Sequence, residues 1–206
     1  MKTASRTNRS PWHRKLVIIA GSLLMSALET KRLTFRRWTP ADAEDLFAMY
    51  GDPETMRYIG PGNVSASVEV HREDKSAVYD AHEAYGGFVL AAVLRETGRP
   101  MGTALLKRIP YSQGEEGEPQ VEIGWHINRA YWNQGLGTEM AEMLLREGLT
   151  RFGRVVAVAY PENGASLRVM EKIGMTRVGL TRRYYDLEVM MYESGPVDGM
   201  PEGLPS

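Results

Sequence analysis

The 206-residue chain has no cysteine, which excludes disulfides, thiolate metal sites and a cysteine nucleophile. Histidine is scarce: His13, His71, His82 and His126 stand far apart and form no HExxH pair, so the sequence offers no metal site. Nor is there a large excess of one charge. Lys and Arg number 25 against 26 Asp and Glu, for a net charge of −1. The balance is uneven, because the first 24 residues carry Lys2, Arg6, Arg9, Arg14 and Lys15 and no acid. Setting those five aside leaves 20 basic against 26 acidic groups, or −6. A body of that sign gives nucleic acid no electrostatic foothold. Internal repeats are also absent. With 43% hydrophobic residues the chain can bury a proper core, and its length suits a single domain.

Long apolar runs are missing too, with one short exception near the start. "LVIIAGSLLMSAL", residues 16 to 28, follows the basic stretch in the outline of a secretory signal, yet it is too short for an ordinary transmembrane helix. A small-x-small cleavage site should come next. Instead the chain passes through "SALETKRLTFRRW" into its first strand with little spacer, so cleavage there would crowd the fold. The expectation is therefore that Met25 is the true start, that residues 1–28 stand apart from the fold, and that the protein is cytoplasmic. The competing readings are an export signal and a membrane-associated protein held by residues 16 to 28.

From Leu33 the organisation is legible. "LTFRRW" alternates and is β-prone, which predicts a first strand. Thr39, Pro40 and Asp42 supply an N-cap, an N1 proline and an acidic first turn, and Ala43, Leu46, Phe47 and Tyr50 follow at helical spacing. After the turn-rich "GDPETMRYIGPGN", Ser67 predicts the cap of a second, polar helix reaching about Ala84. "GFVLAAVL" and "MGTALLKR", joined by "RETGRP", predict an antiparallel hairpin. In the strand "QVEIGWHIN", Val121, Ile123, Trp125 and Ile127 point one way, to the core. Glu122, Gly124, His126 and Asn128 point the other, where the glycine leaves a gap in which something can lie against the backbone.

"YWNQGLGTEMAEMLLREG", residues 131 to 148, sets two glycines one residue apart before a helix with Leu136, Met140, Met143 and Leu144 on one face. "VVAVAY" then reads as a strand buried on both faces and parallel to its predecessor, so strand, helix and strand form a right-handed crossover. "PENGASLRVMEKIG" predicts another helix, with Asn163 near its start and Gly174 at C′, and "YYDLEVMMYE" predicts a final strand. The fold class is thus α/β, a mixed sheet flanked by helices, over residues 29–193, with 194–206 as a disordered tail.

Amides at the start of a helix lack internal partners, the dipole adds positive potential there, and glycines let a ligand approach the backbone. Gln134, Gly135, Leu136, Gly137 and Thr138 accordingly read as a phosphate-holding loop. No GxxxxGK[ST] string occurs, and Met140 stands where a GxGxxG fingerprint needs its third glycine. Taken alone, the same residues also fit a plain structural turn.

The string "EIGWHINRAYWNQGLGTEM" resembles the core motif of the GNAT superfamily of N-acetyltransferases, particularly its branch of ribosomal-protein N-terminal acetyltransferases. The resemblance extends to "LETKRLTFRRWTPADAEDL", "DPETMRYIG" and "PENGASLRVMEKIGM", about residues 29 to 193. It implies a mixed, mostly antiparallel sheet whose two central parallel strands splay apart around acetyl-CoA. The amides of Gln134 through Thr138 would hold the pyrophosphate, and the backbone near His126 and Ile127 would pair with the pantetheine arm. Asn163 and Ser166 match the family's N-x-x-S, where they would meet the cofactor or simply cap the helix. Met170 occupies the position where several members carry a tyrosine proposed to protonate the leaving thiolate, which leaves that acid unassigned.

Amine attack on a thioester needs a neutral amine, an orienting cleft and a stabilised oxyanion. Glu122 is the candidate general base, directly or through a water; its other reading is a solvated carboxylate at a strand end. His126, on the same face, is a candidate relay or a hydrogen-bonding residue. Asp52, Glu54, Tyr58 and Tyr184 are expected to wall the acceptor side. The acceptor, a peptide N-terminus or a small-molecule amine, stays open, as does a homodimer. The rival function is a noncatalytic acyl-CoA-binding or regulatory module of the same fold.

Overall fold

The computed structural model describes residues 28–73 and 76–195. The expected N-terminal extension and C-terminal tail lie outside them, but for Leu28, Ser194 and Gly195 at the boundaries. The strands are β1 (Leu33–Arg36), β2 (Phe88–Leu94), β3 (Pro100–Arg108), β4 (Val121–Ile127), β5 (Val155–Ala159), β6 (Thr176–Thr181) and β7 (Val189–Ser194). The helices are α1 (Ala43–Tyr50), α2 (Pro53–Met56), α3 (Ser76–Glu83), α4 (Leu136–Phe152) and α5 (Gly164–Lys172). The seven strands form one sheet in the order β1-β2-β3-β4-β5-β7-β6. Its pairs are antiparallel except β4–β5, which is parallel. No helix of the described residues is long and apolar enough to cross a membrane.

The α4 stripe behaves as its spacing requires. Leu136, Met140, Met143 and Leu144 are buried against Val121 and Ile123 of β4 and Val155 and Ala157 of β5. Each such side chain contributes about 2 kcal/mol by leaving water. Gly148 is where helix and sheet come closest: a Cβ there would lie 2.6 Å from Val155 Cγ1. Met170 from α5 joins the same core. On the opposite face, Leu46 and Met49 of α1 and Tyr79 of α3 cover Trp38, Ala91 and Val93.

Two local expectations need correction, and one strand carries no sequence signal. The helix predicted from Ser67 to Ala84 is a short 3-10 turn at Glu69–His71 followed by α3 from Ser76. Val68 and Val70 stand two apart, which puts them on different sides of a helix, so the first part of the stretch has no apolar stripe to dock. The strand read from Tyr184 starts only at Val189, because Tyr185 and Asp186 have positive φ and turn the chain instead. Its partner β6, largely exposed at the sheet edge, lacks the apolar run that marks a strand in sequence.

The entry to α1 is held by a capping box. Thr39 N–H and Oγ1 donate to Asp42 Oδ2 at 2.9 and 2.8 Å, and Arg36 clasps both carboxylate oxygens at 2.6 and 2.7 Å. Chiefly through Arg36, and against the opposing effect of burial, these bonds hold the Asp42 carboxyl below its ordinary value of 3.8. The ionised form therefore stabilises the fold above that value, and the contribution is lost as pH falls through the lowered one. Asp42→Asn is expected to cost about 2 kcal/mol in urea unfolding at pH 7. The difference from the parent protein should shrink toward zero in strong acid, and a penalty independent of pH would contradict this account.

Candidate functional site

Strands β4 and β5 share one register pair, Glu122 with Val156, near their beginnings. Beyond it they part. The opening is a groove of about 480 Å³ lined by Glu122 to Ile127 of β4, Val158 and Ala159 of β5, the loop 133–138 and one side of α5 from Ala165 to Lys172.

The β3–β4 ladder determines which peptide groups face the groove. Antiparallel pairs alternate between those that exchange both hydrogen bonds and those that exchange none. Asn128 N–H donates to Met101 C=O at 2.9 Å and Ile109 N–H to Gln120 C=O at 3.0 Å, which makes Gly102↔Ile127 and Arg108↔Val121 non-exchanging pairs. The amides and carbonyls of Trp125 and Ile127 therefore point away from β3, toward the opening. Those of His126 face Thr103 on β3. Of the two residues expected to offer backbone to a ligand, Ile127 turns its peptide groups toward the groove and His126 does not; Trp125 does. The Ile127 carbonyl already accepts the Trp132 indole N–H at 2.8 Å. Gly124 lines the groove as expected, although Leu105 leans toward it: a Cβ there would stand 3.2 Å from Leu105 Cδ1.

At the groove's other end, Gly135 has φ +75 and is the N-cap of α4, so the amides of Leu136, Gly137 and Thr138 open the helix without helical partners. Gly137 has no room for a side chain, since a Cβ would meet Ile127 Cδ1 at 2.8 Å. The loop is fastened from a distance. Arg32, just before β1, donates from Nη1 to Gln134 C=O at 2.9 Å and from Nε to Glu139 at 2.6 Å. Glu139 also accepts from Arg32 N–H at 2.7 Å and Thr30 Oγ1 at 2.6 Å. Burial disfavours its charge, but these donors outweigh it and hold Glu139 below its ordinary range. No local motif announces this clasp, whose members lie more than 100 residues apart.

Glu122 is buried, not solvated. Its Oε2 accepts from the Tyr185 hydroxyl and lies 3.3 Å from Lys107 Nζ, while Oε1 accepts no hydrogen bond among the described residues. Burial pushes its pKa up, and Lys107 and Tyr185 pull it only partly back. His126 donates to or accepts from the Tyr50 hydroxyl through Nδ1 at 3.0 Å, and Tyr50 reaches Thr103 at 2.8 Å. Burial, aided by Lys107, pushes His126 down to about 4. It is thus a neutral hydrogen-bonding residue near pH 7, about 13 Å along the strand from Glu122 and out of direct relay distance.

Asn163 caps α5, its Oδ1 accepting from Ser166 N–H at 3.2 Å, and both residues also line the groove. Met170 lines it as well, with no proton to give. Of the expected acceptor walls, Glu54 and Tyr58 border the groove. Asp52 spends its carboxylate capping Thr55 at 2.7 and 2.9 Å. Tyr184 is fully buried and is no wall at all; it packs with Ile109, Val156 and Met191. Its neighbour Tyr185, which sequence reading passed over, is the tyrosine that reaches the site.

The sequence matches the acetyltransferase (GNAT) domain family over residues 32–176. It is 29% identical over 170 residues to the uncharacterized N-acetyltransferase YoaA of Bacillus subtilis strain 168, covering 82% of this chain and 89% of that protein. The fold superposes on a GNAT-family acetyltransferase from Bacillus anthracis with a TM-score of 0.63 at 26% identity, covering 81% of this chain and 96% of the other. RimL, a ribosomal alpha-N-protein acetyltransferase in complex with coenzyme A, shares the fold with a TM-score of 0.64 at 15% identity, covering 81% and 95%. A sheet split between its two parallel strands, a glycine loop opening the helix that joins them, and a family match across most of the described chain lead to one assignment: the protein belongs to the GNAT family and is an acyl-CoA-dependent N-acyltransferase.

Proposed function

We propose that the protein transfers an acetyl group from acetyl-CoA to a primary amine by direct attack, with Glu122 as general base. The observation that carries this reading is a buried carboxylate at the point where β4 and β5 part, with one oxygen accepting no hydrogen bond among the described residues. The amides of Gln134 through Thr138 would take the pyrophosphate, as helix N-termini do for phosphate generally. The exposed peptide groups of Trp125 and Ile127 would pair with the amide-bearing arm of the donor. Asn163 and Ser166 would meet the cofactor from α5. The acyl donor supplies an activated thioester carbonyl. Glu122 Oε1 takes the proton that the amine gives up as the C–N bond forms; the C–S bond then breaks and the thiolate departs, taking up that proton from Glu122 or one from water, so that the carboxylate is restored.

The acceptor enters opposite the cofactor loop, past Glu54 and Tyr58. A carboxylate on that side suits an ammonium-bearing acceptor, either a peptide N-terminus, as for the alpha-N-protein acetyltransferase RimL, or a small-molecule amine. Use of a cytosolic metabolite as donor fits a cytoplasmic location.

A carboxylate acts as base only when ionised, so activity should rise with pH through the raised pKa of Glu122, above the ordinary carboxylate range. Thiol release would be followed with peptides beginning in Ser, Ala or Thr, free amino acids and polyamines. Glu122→Gln is expected to lower acceptor-dependent release about tenfold or more at pH 7, with partial recovery at high pH where more amine is free. Full activity in the variant would sink the assignment of the base. Arg32→Ala, which unfastens the glycine loop, is expected to raise KM for acetyl-CoA about fivefold, the equivalent of roughly one hydrogen bond, with kcat nearly unchanged. An unchanged KM would show that the loop holds its shape unaided.

A further inference from the structure

The turn between β6 and β7 is built against conformational preference. Leu187 N–H donates to Tyr184 C=O at 3.2 Å, and the two central residues, Tyr185 and Asp186, have φ of +62 and +57. That is the geometry of a type I′ turn, whose central positions favour Gly and Asn. A bulky residue in the left-handed region is sterically strained and persists only where the surroundings over-determine it.

Here they do. Asp186 N–H donates to Ser112 Oγ at 2.9 Å, and Asp186 Oδ1 accepts Gln113 N–H at 2.7 Å. Ser112 Oγ in turn donates to Arg182 C=O at 2.6 Å, and Ser112 N–H to Arg183 C=O at 2.8 Å. Tyr185 N–H reaches Pro110 C=O at 3.3 Å, and the buried Tyr184 anchors its hydroxyl on Gln120 at 3.0 Å. The whole assembly presents one phenol. Tyr185 Oη donates to Glu122 Oε2 and accepts from Lys107 Nζ at 2.5 Å, and Lys107 sits directly across the ladder from Glu122.

We infer that Tyr185, delivered by this strained turn and oriented by Lys107, is a positioning residue that fixes the Glu122 carboxylate with Oε2 engaged and Oε1 turned free for the amine. This rests on reading Glu122 as the base. Lys107 from β3 and Tyr185 from the β6–β7 turn are the titratable groups that face Glu122, and both favour its ionised form. Removing the phenolic donor therefore raises the pH at which Glu122 ionises. A purely structural tyrosine would leave that pH unchanged.

The test is a titration of the full chain labelled with carboxyl-13C glutamate and followed by NMR, the Glu122 signal being assigned by its loss in Glu122→Gln. In Tyr185→Phe, which keeps the ring, Glu122 is expected to titrate about one unit higher than in the parent protein. Lys107→Met should shift it in the same direction and serves as a second variant should the first fold poorly. A Glu122 titration unchanged in Tyr185→Phe, or in Lys107→Met where Tyr185→Phe does not fold, overturns the proposal. The pH profile of thiol release with the amine panel separates the two readings. If Glu122→Gln removes the acid limb and Tyr185→Phe moves it upward, both stand. If Glu122→Gln leaves the profile intact, the base assignment falls. If only Tyr185→Phe leaves it intact, the positioning role falls and the base assignment stands.

Discussion

A parallel strand pair that shares one register position and then diverges leaves peptide groups inside a sheet without a strand to bond. Buried backbone groups must find partners, so such a split is tolerated only where water or a ligand supplies them. Much else in the molecule follows from that split between β4 and β5. The crossover helix α4 has to bridge the two strands, which brings its N-terminus to the rim of the opening, and Gly137 lets it press on Ile127 without a side chain between. The open edge and the open helix end thus face one groove, one offering paired donors and acceptors at strand spacing, the other a cluster of amides suited to anions.

Two titratable residues share one face of β4 and are driven apart by the same burial. Glu122 is pushed up and His126 down, and both shifts move the group toward its neutral form. The outcomes differ because their neighbours differ. Glu122 has a cation and a phenol at one oxygen, which partly offset its burial; His126 has the neutral Tyr50 and remains an uncharged imidazole. On the proposed reading of Glu122 as the base, this divergence separates an acid–base residue from a packing residue beside the same cleft.

Local chemistry was readable where it is local. The α4 stripe, the Thr39 cap, the alternation of β4, the doubly buried run of β5 and the glycines of the loop each depend on residues within one turn or strand. What escaped reading depends on meetings between distant segments. Arg32 finds Glu139, and Tyr185 finds Glu122, only after the sheet has formed. A turn pattern without glycine hid the β6–β7 hairpin, since the bonds that hold Tyr185 and Asp186 in the left-handed region come from residues 110–113. The choice between His126 and Trp125 as the residue offering backbone to the groove hangs on the phase of the β3–β4 ladder, which no sequence pattern encodes. Tyr184 and Tyr185, adjacent and alike in sequence, end as a core residue and a site residue because a turn sends them different ways.

The Trp132 indole on the Ile127 carbonyl also bears on what the groove refuses. A gap in a sheet is a template for any extended polypeptide, and strand addition there would be a route to misassembly. With that carbonyl engaged and the turn of Asn128 to Tyr131 following at once, the free edge runs only from Ile123 to Ile127, about 13 Å. Such a short edge gives few rungs to an invading strand. The tryptophan thereby shortens the stretch of backbone on which another strand could be laid.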